Sequence, residues 1–158
     1  MRPTDVPIGL LLARTAKAAS RAFDDALAEA GGSLPTWLVL MTLMRKTEMT
    51  HGELAAQIGV RGPTLTHHLD ALEESKLIHR ERDTVNRRVQ LVCLTEGGVA
   101  MFHRLRQAAQ AHDARLRAGL APEDLTAMRG LLMRLLRNIE QDRNGKEKSD
   151  DRRGQSRT

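Results

Sequence analysis

The chain has 158 residues, with 25 Lys+Arg against 20 Asp+Glu, a formal net charge of +5 and a pI near 10.1. That length holds one ordinary domain, or one domain with a tail, and a sizeable core, so a second independent domain is not expected. The basic balance favours a polyanionic partner, although a solvated basic surface gives the same count. Cys93 is the single cysteine, so no internal disulfide framework closes and a reducing cytoplasm is the expected compartment.

In the opening stretch MRPTDVPIGLLLARTAKAAS the apolar run is interrupted early by Arg14 and Lys17, so neither a signal peptide nor a membrane partner is expected. Ile8, Leu11, Leu12, Ala19, Phe23 and Leu27 recur at helical spacing, and Gly31-Gly32 supplies a stop. Next comes SLPTWLVLMTLMRK, apolar all round; its length, its Leu and Met content and Pro35 near the first turn favour a buried helix over a strand. In THGELAAQIG, Thr50 and Glu53 have capping-box spacing and Gly59 closes a helix of barely two turns.

Only VRG separates that helix from the next, which starts near Pro63 and carries Leu65, Leu69 and Leu72 on one face. Two short helices joined by a glycine-containing turn make a helix-turn-helix candidate. From Ile78 to Leu94 the rhythm changes to alternation, with Val89, Leu91 and Cys93 on one side and a polar turn, DTVN, before Arg87 and Arg88. This predicts a β-hairpin. After Thr95-Glu96-Gly97-Gly98, Phe102, Leu105, Ala109, His112 and Leu116 form a long helical stripe, and a last helix opens at Pro122 with Leu125, Met128, Leu132, Leu135 and Ile139 on its face. Beyond Gln141 no apolar residue remains, so disorder is expected there.

The fold class read from this order is mainly α with a small β-hairpin wing. Residues 1–32 and 96–141 are expected to be dimerisation helices, 33–95 a winged helix-turn-helix DNA-binding region, and 142–158 a disordered charged tail. The second helix of such a motif enters the major groove of double-stranded DNA, and the wing reaches the adjacent backbone or minor groove. With about 100° per residue, and the leucines facing the core, His67 points outward and Thr64 and Thr66 flank it. These three are the candidate groove contacts, with Arg61 reaching a phosphate from the turn. His68 lies closer to the apolar side. Arg87 at the hairpin tip is the candidate minor-groove residue, while Asp83 is expected to brace Arg88, so that both arginines belong to the DNA-binding set.

The run GELAAQIGVRGPTLTHHLDALEESKLIHRERDTVNRRVQLVCLTEGG resembles the winged helix-turn-helix core of the MarR family of transcriptional regulators. The family wing commonly reads D-P-x-D-R-R and ends in L-T-x-x-G; here it reads Asp83-Thr84-Val85-Asn86-Arg87-Arg88 and ends Leu94-Thr95-Glu96-Gly97-Gly98. Asn86 therefore stands in the wing brace where aspartate is usual, and His67 where arginine is common. The resemblance covers residues 8–140 and implies a homodimer, with its first and last two helices interlocked, on a pseudo-palindromic operator, acting as a repressor. It further implies a small aromatic or phenolic effector between the lobes, where Trp37 and Met41 lie, although an apolar pair at helical spacing also reads as core.

Peroxide sensing through an N-terminal cysteine is disfavoured, because the first helix has none. His103 and His112 are too far apart on one helix to share an ion, and the adjacent His67 and His68 diverge, so neither metal nor cofactor is expected. There is no phosphate-cradling glycine loop and no nucleophile elbow, which argues against an enzyme. The alternative is a sequence-independent architectural DNA-binding protein working through phosphate contacts.

Overall fold

A computed structural model describes residues 6–46, 48–83, 86–87 and 89–155, with side chains as far as Gln141. It divides into two units, residues 1–116 and 117–158. In the first, helix α1 (Ile8–Glu29) buries only its C-terminal end, Ala26 and Leu27, while Ile8, Leu10 and Leu11 stay exposed. It ends where Gly31 takes φ 86° and the Gly32 N–H returns to the Leu27 carbonyl, a left-handed stop that glycine adopts without steric cost.

Helix α2 (Leu34–Leu43) starts on the Ser33 side chain, which accepts the Thr36 N–H, and buries Val39, Leu40, Thr42 and Leu43. Its all-round apolar sequence is explained by that central position. A three-residue strand β1 (Glu48–Thr50) then runs directly into α3 (His51–Ile58), and α4 (Gly62–Glu74) follows. Strands β2 (Ile78–Arg82) and β3 (Gln90–Leu94) make the expected hairpin, but β1 pairs antiparallel with β3 on its other side, giving a three-stranded sheet of order β1-β3-β2. The hairpin expectation is extended by one strand that is too short to show alternation. Helix α5 (Glu96–Leu116) closes the unit, burying Met101, Phe102, Leu105 and His112.

The core gathers Leu27, Leu40, Leu43, Leu54, Leu65, Leu69, Ile78, Val92 and Leu105. Leu91 and Cys93 share one side of the sheet, as their alternation implied, and the side that faces this core is the other one, through Val92. Four successive apolar residues in β3 left the core-facing parity undetermined. In the second unit, α6 (Pro122–Gln155) begins with Asp124 accepting the Ala121 N–H and exposes Met128, Leu131, Leu132, Met133, Leu136 and Ile139. Its backbone stays helical past Gln141, where composition led to an expectation of disorder. Lys, Glu, Arg and Gln are good intrinsic helix formers, whereas the expectation weighed only what could be buried. Among the described residues no helix is long and apolar enough to cross a membrane.

The junction of sheet and α5 is tight. A Cβ at Gly98 would stand 2.0 Å from the Leu77 carbonyl oxygen and 3.0 Å from Leu94 Cδ2, so backbone would have to move. Gly98→Ala should therefore lower stability by about 1–3 kcal/mol or more. At Gly52 an added Cβ meets nothing within 4 Å, and Gly52→Ala should be neutral or slightly stabilising. Urea denaturation of the two variants checks this; equal midpoints would refute the close approach.

Candidate nucleic-acid interface

The approach to α4 is set by α3. The Thr50 hydroxyl accepts the Glu53 N–H at 3.2 Å, and the Glu53 carboxylate accepts the Thr50 N–H at 2.8 Å, closing the expected capping box. Lys46 reaches the same carboxylate at 2.8 Å. Its hydrogen bond, followed by those from the Thr50 backbone and side chain, holds the Glu53 pKa down to about 2. Gly59, at φ 77°, ends α3 and turns the chain through Val60 and Arg61 into α4.

On α4 the leucine face is buried as expected: Leu65, Leu69 and Leu72 are each 5 % exposed or less. Thr64, Thr66 and His67 lie exposed on the remainder, and Arg61 occupies the exposed position just before the helix. Thr66 is already engaged. Its hydroxyl donates to the Gly62 carbonyl at 3.1 Å and lies 3.1 Å from His51 Nε2, which donates to it in the Nε2–H tautomer. The two helices of the motif are thereby joined by a hydrogen bond as well as by apolar packing. His68 is half-buried, beside a cleft that also involves Ser33, Thr36 and Arg104.

Helix α4 ends with the Leu77 N–H on the Leu72 carbonyl and the Lys76 N–H on the Glu73 carbonyl, both 2.9 Å. This places Lys76 at φ 56°, in the left-handed position usually taken by glycine. Arg80 of β2 then returns to α4. Its guanidinium Nη2 donates to Asp70, its backbone N–H donates to Glu73 at 3.1 Å, and its Nε lies 3.5 Å from the other Glu73 oxygen. That last approach is an ion pair without hydrogen-bond alignment, since among the described residues the Nε finds no hydrogen-bond partner. Sequence reasoning missed Arg80. The available signal was parity: two residues after buried Ile78, it shares the core-facing side of β2, where a cation needs carboxylates.

At the wing tip the Asp83 N–H donates to the Val89 carbonyl at 3.0 Å and the Val89 N–H to the Asn86 carbonyl at 2.8 Å. Asp83 Oδ1 accepts the Asn86 N–H at 3.3 Å, so these two residues meet inside the turn. Arg87 is exposed at this turn. Arg88, and with it the expected Asp83–Arg88 brace, lies outside the described residues.

Trp37 and Met41 come together at an open cleft of about 610 Å³. Trp37 stacks on Phe102 with ring centroids 5.4 Å apart and planes 3° from parallel. Arg45, Arg106 and Asp113 also line the cleft, so an aromatic floor is bordered by two guanidinium groups and one carboxylate. Arg45 lies in the turn after α2 and Arg106 on α5, so those arginines carry no joint signal in the sequence. Elsewhere, Cys93 is buried between strands; burial, reinforced by Glu81 and Glu48, pushes its thiol up to about 11, above the usual thiol range.

Comparison with known proteins places this geometry among transcriptional regulators. The MarR family model matches residues 33–89. The transcriptional regulator PA3341 has a crystal structure 32% identical in sequence, with a TM-score of 0.67, covering 85% of this chain and 99% of its own. A MarR-family regulator from Rhodococcus sp. RHA1 is 26% identical, with 81% and 91% covered and a TM-score of 0.67. The transcriptional repressor CouR, bound to a 23-mer DNA duplex, is also 26% identical, with 82% and 92% covered and a TM-score of 0.72.

The Glu53 bonds imply a defined acid dependence. Because folding lowers its pKa from 4.5 to about 2, the ionised side chain contributes stability above about pH 4.5, and the contribution is lost as pH falls toward 2. The wild-type advantage in urea midpoint over Glu53→Gln should be constant above 4.5 and shrink across that window; an advantage unchanged at the lower end would contradict the assignment.

Proposed function

The chain belongs to the MarR family of DNA-binding transcriptional regulators, and on that premise we propose that it is a repressor binding a pseudo-palindromic operator sequence-specifically, as a homodimer in the cytoplasm. The observation that carries this reading is the coupling of α4 to the wing. Thr64 and His67 are exposed while the leucine face is buried, and Arg80 ties the same helix to the strand that leads to Arg87. One rigid piece thus presents a polar helix to the major groove and a cation to the neighbouring minor groove. Arg61 supplies a phosphate contact. Thr66 retains acceptor capacity and a methyl group for a base edge while holding His51.

The dimer reading is supported by the apolar residues that α1 and α6 leave in water, Ile8, Leu10 and Leu11 on one and Leu131, Leu132, Leu136 and Ile139 on the other. Apolar surface on this scale on a regulator favours a second copy. The Trp37–Met41 cleft has the volume of a small-molecule site. Its stacked rings suit an aromatic ring, and Arg45 and Arg106 suit a carboxylate or phenolate upon it. Occupation by such an acid would release the operator.

Arg87→Ala should weaken operator binding by about 1–3 kcal/mol with the fold unchanged. Half-sites should be separated by about one helical turn or a multiple, so that inserting about half a turn abolishes tight binding. Titration at fixed salt against operator and random duplex measures both. Undiminished affinity of Arg87→Ala would overturn the minor-groove role, and equal affinity for random duplex would favour an architectural binder.

For the cleft, Arg106→Gln should weaken binding of benzoate and hydroxybenzoates about ten-fold while operator affinity in their absence is kept. Calorimetric titration tests this. Heats identical for the two proteins would remove Arg106 from the site.

A further inference from the structure

On the outer side of the sheet, β2 and β3 bring together three side chains of different chemistry. His79 and Cys93 are directly paired across the two strands, and Glu81 follows His79 on the same face. Their ligating atoms all lie within 4.8 Å of one another. His79 Nε2 is 3.7 Å from one Glu81 oxygen and Cys93 Sγ is 3.6 Å from the other. A tetrahedral zinc, bound at its usual lengths to nitrogen, oxygen and sulfur, sets neighbouring ligand atoms about 3.3–3.8 Å apart. The two contacts to Glu81 already have that spacing, each to a different carboxylate oxygen, and with every ligating atom within 4.8 Å side-chain rotation can close the group around one ion.

We propose that His79, Glu81 and Cys93 form a binding site for a divalent transition cation of the zinc class. One imidazole, one carboxylate and one thiolate are borderline-to-soft donors that select such an ion over magnesium or calcium. Three protein ligands leave a fourth position for water. Glu48, the β1 partner of Cys93 on its other side, stands next to the group as a further carboxylate. The edge position of β2 and the exposure of His79 and Glu81 provide the entry path. On binding, the Cys93 thiol gives its proton to solvent as the sulfur–metal bond forms, and neutral His79 donates a ring-nitrogen lone pair, with no change of redox state.

The site spans the root of the wing. A bound ion would fasten β2 to β3 just before the chain enters the Asp83 turn, stiffening the base of the hairpin. Helical histidine pairs carry no such signal; this cluster arises from strand pairing across 14 residues of sequence, between positions 79 and 93.

Titration of the reduced full-length protein with cobalt(II) tests the site. One cobalt per chain should bind with a thiolate-to-metal charge-transfer band. Cys93→Ser should abolish the band, and His79→Gln, at an exposed position that leaves the fold intact, should weaken cobalt binding at least about ten-fold. Zinc should displace the cobalt and raise the thermal midpoint of the wild type, as any ligand specific for the folded state does, and should do so less for His79→Gln. Absence of the band in excess cobalt, or equal cobalt affinity in wild type and His79→Gln, would overturn the proposal. No DNA is present in these measurements, so their outcome is independent of operator binding.

Discussion

Everything presented outward depends on the burial of Leu65, Leu69 and Leu72. Each side chain contributes about 1.5–3 kcal/mol through removal of apolar surface from water, so rotating α4 by a single residue would sacrifice several kcal/mol. That constraint fixes the azimuth of the helix and hence the direction of Thr64 and His67. The polar face is the complement of a hydrophobic one, and its position needs no dedicated interaction of its own.

A rotational setting leaves open how the wing lies relative to the helix. The Arg80 contacts with Asp70 and Glu73 supply that second constraint, because they tie a strand to the C-terminal half of α4. Between those anchors the chain has little freedom: Lys76 is held in a left-handed turn by the two returning N–H groups. The Thr95 hydroxyl donates to the Lys76 carbonyl at 2.7 Å and accepts the Gly98 N–H at 3.0 Å. The L-T-x-x-G pattern noticed in the sequence thus has a physical content. Threonine crosses to the α4–β2 turn, and glycine allows the start of α5 to approach the Leu77 carbonyl.

Legibility in the sequence followed the range of the interactions. The capping box, the Gly59 stop, the leucine stripe and the hairpin are written within a few neighbouring residues, and each is found where it was expected. Strand β1 was missed because three residues cannot display a period, and the side of β3 that faces the core stayed open because Leu91, Val92, Cys93 and Leu94 are all apolar. Arg80 finds its carboxylates seven and ten residues upstream on another element, a pairing visible only once strand parity is known. Trp37 and Met41 could be nominated from α2 alone, whereas the arginines beside them required α2 and α5 to be docked. His79 and Cys93 are neighbours only through the register of the sheet.

The strand order has a further consequence. With β3 in the middle, β2 lies at an edge of the sheet, and an edge strand carries main-chain donors and acceptors that a strand from another molecule can adopt. Here that strand reads Ile-His-Arg-Glu-Arg, with a single apolar residue at its inner end. An incoming β-segment would have to desolvate several charges before gaining its ladder bonds. The same charged strand that fastens the wing thus also protects the protein from polymerising through its own sheet.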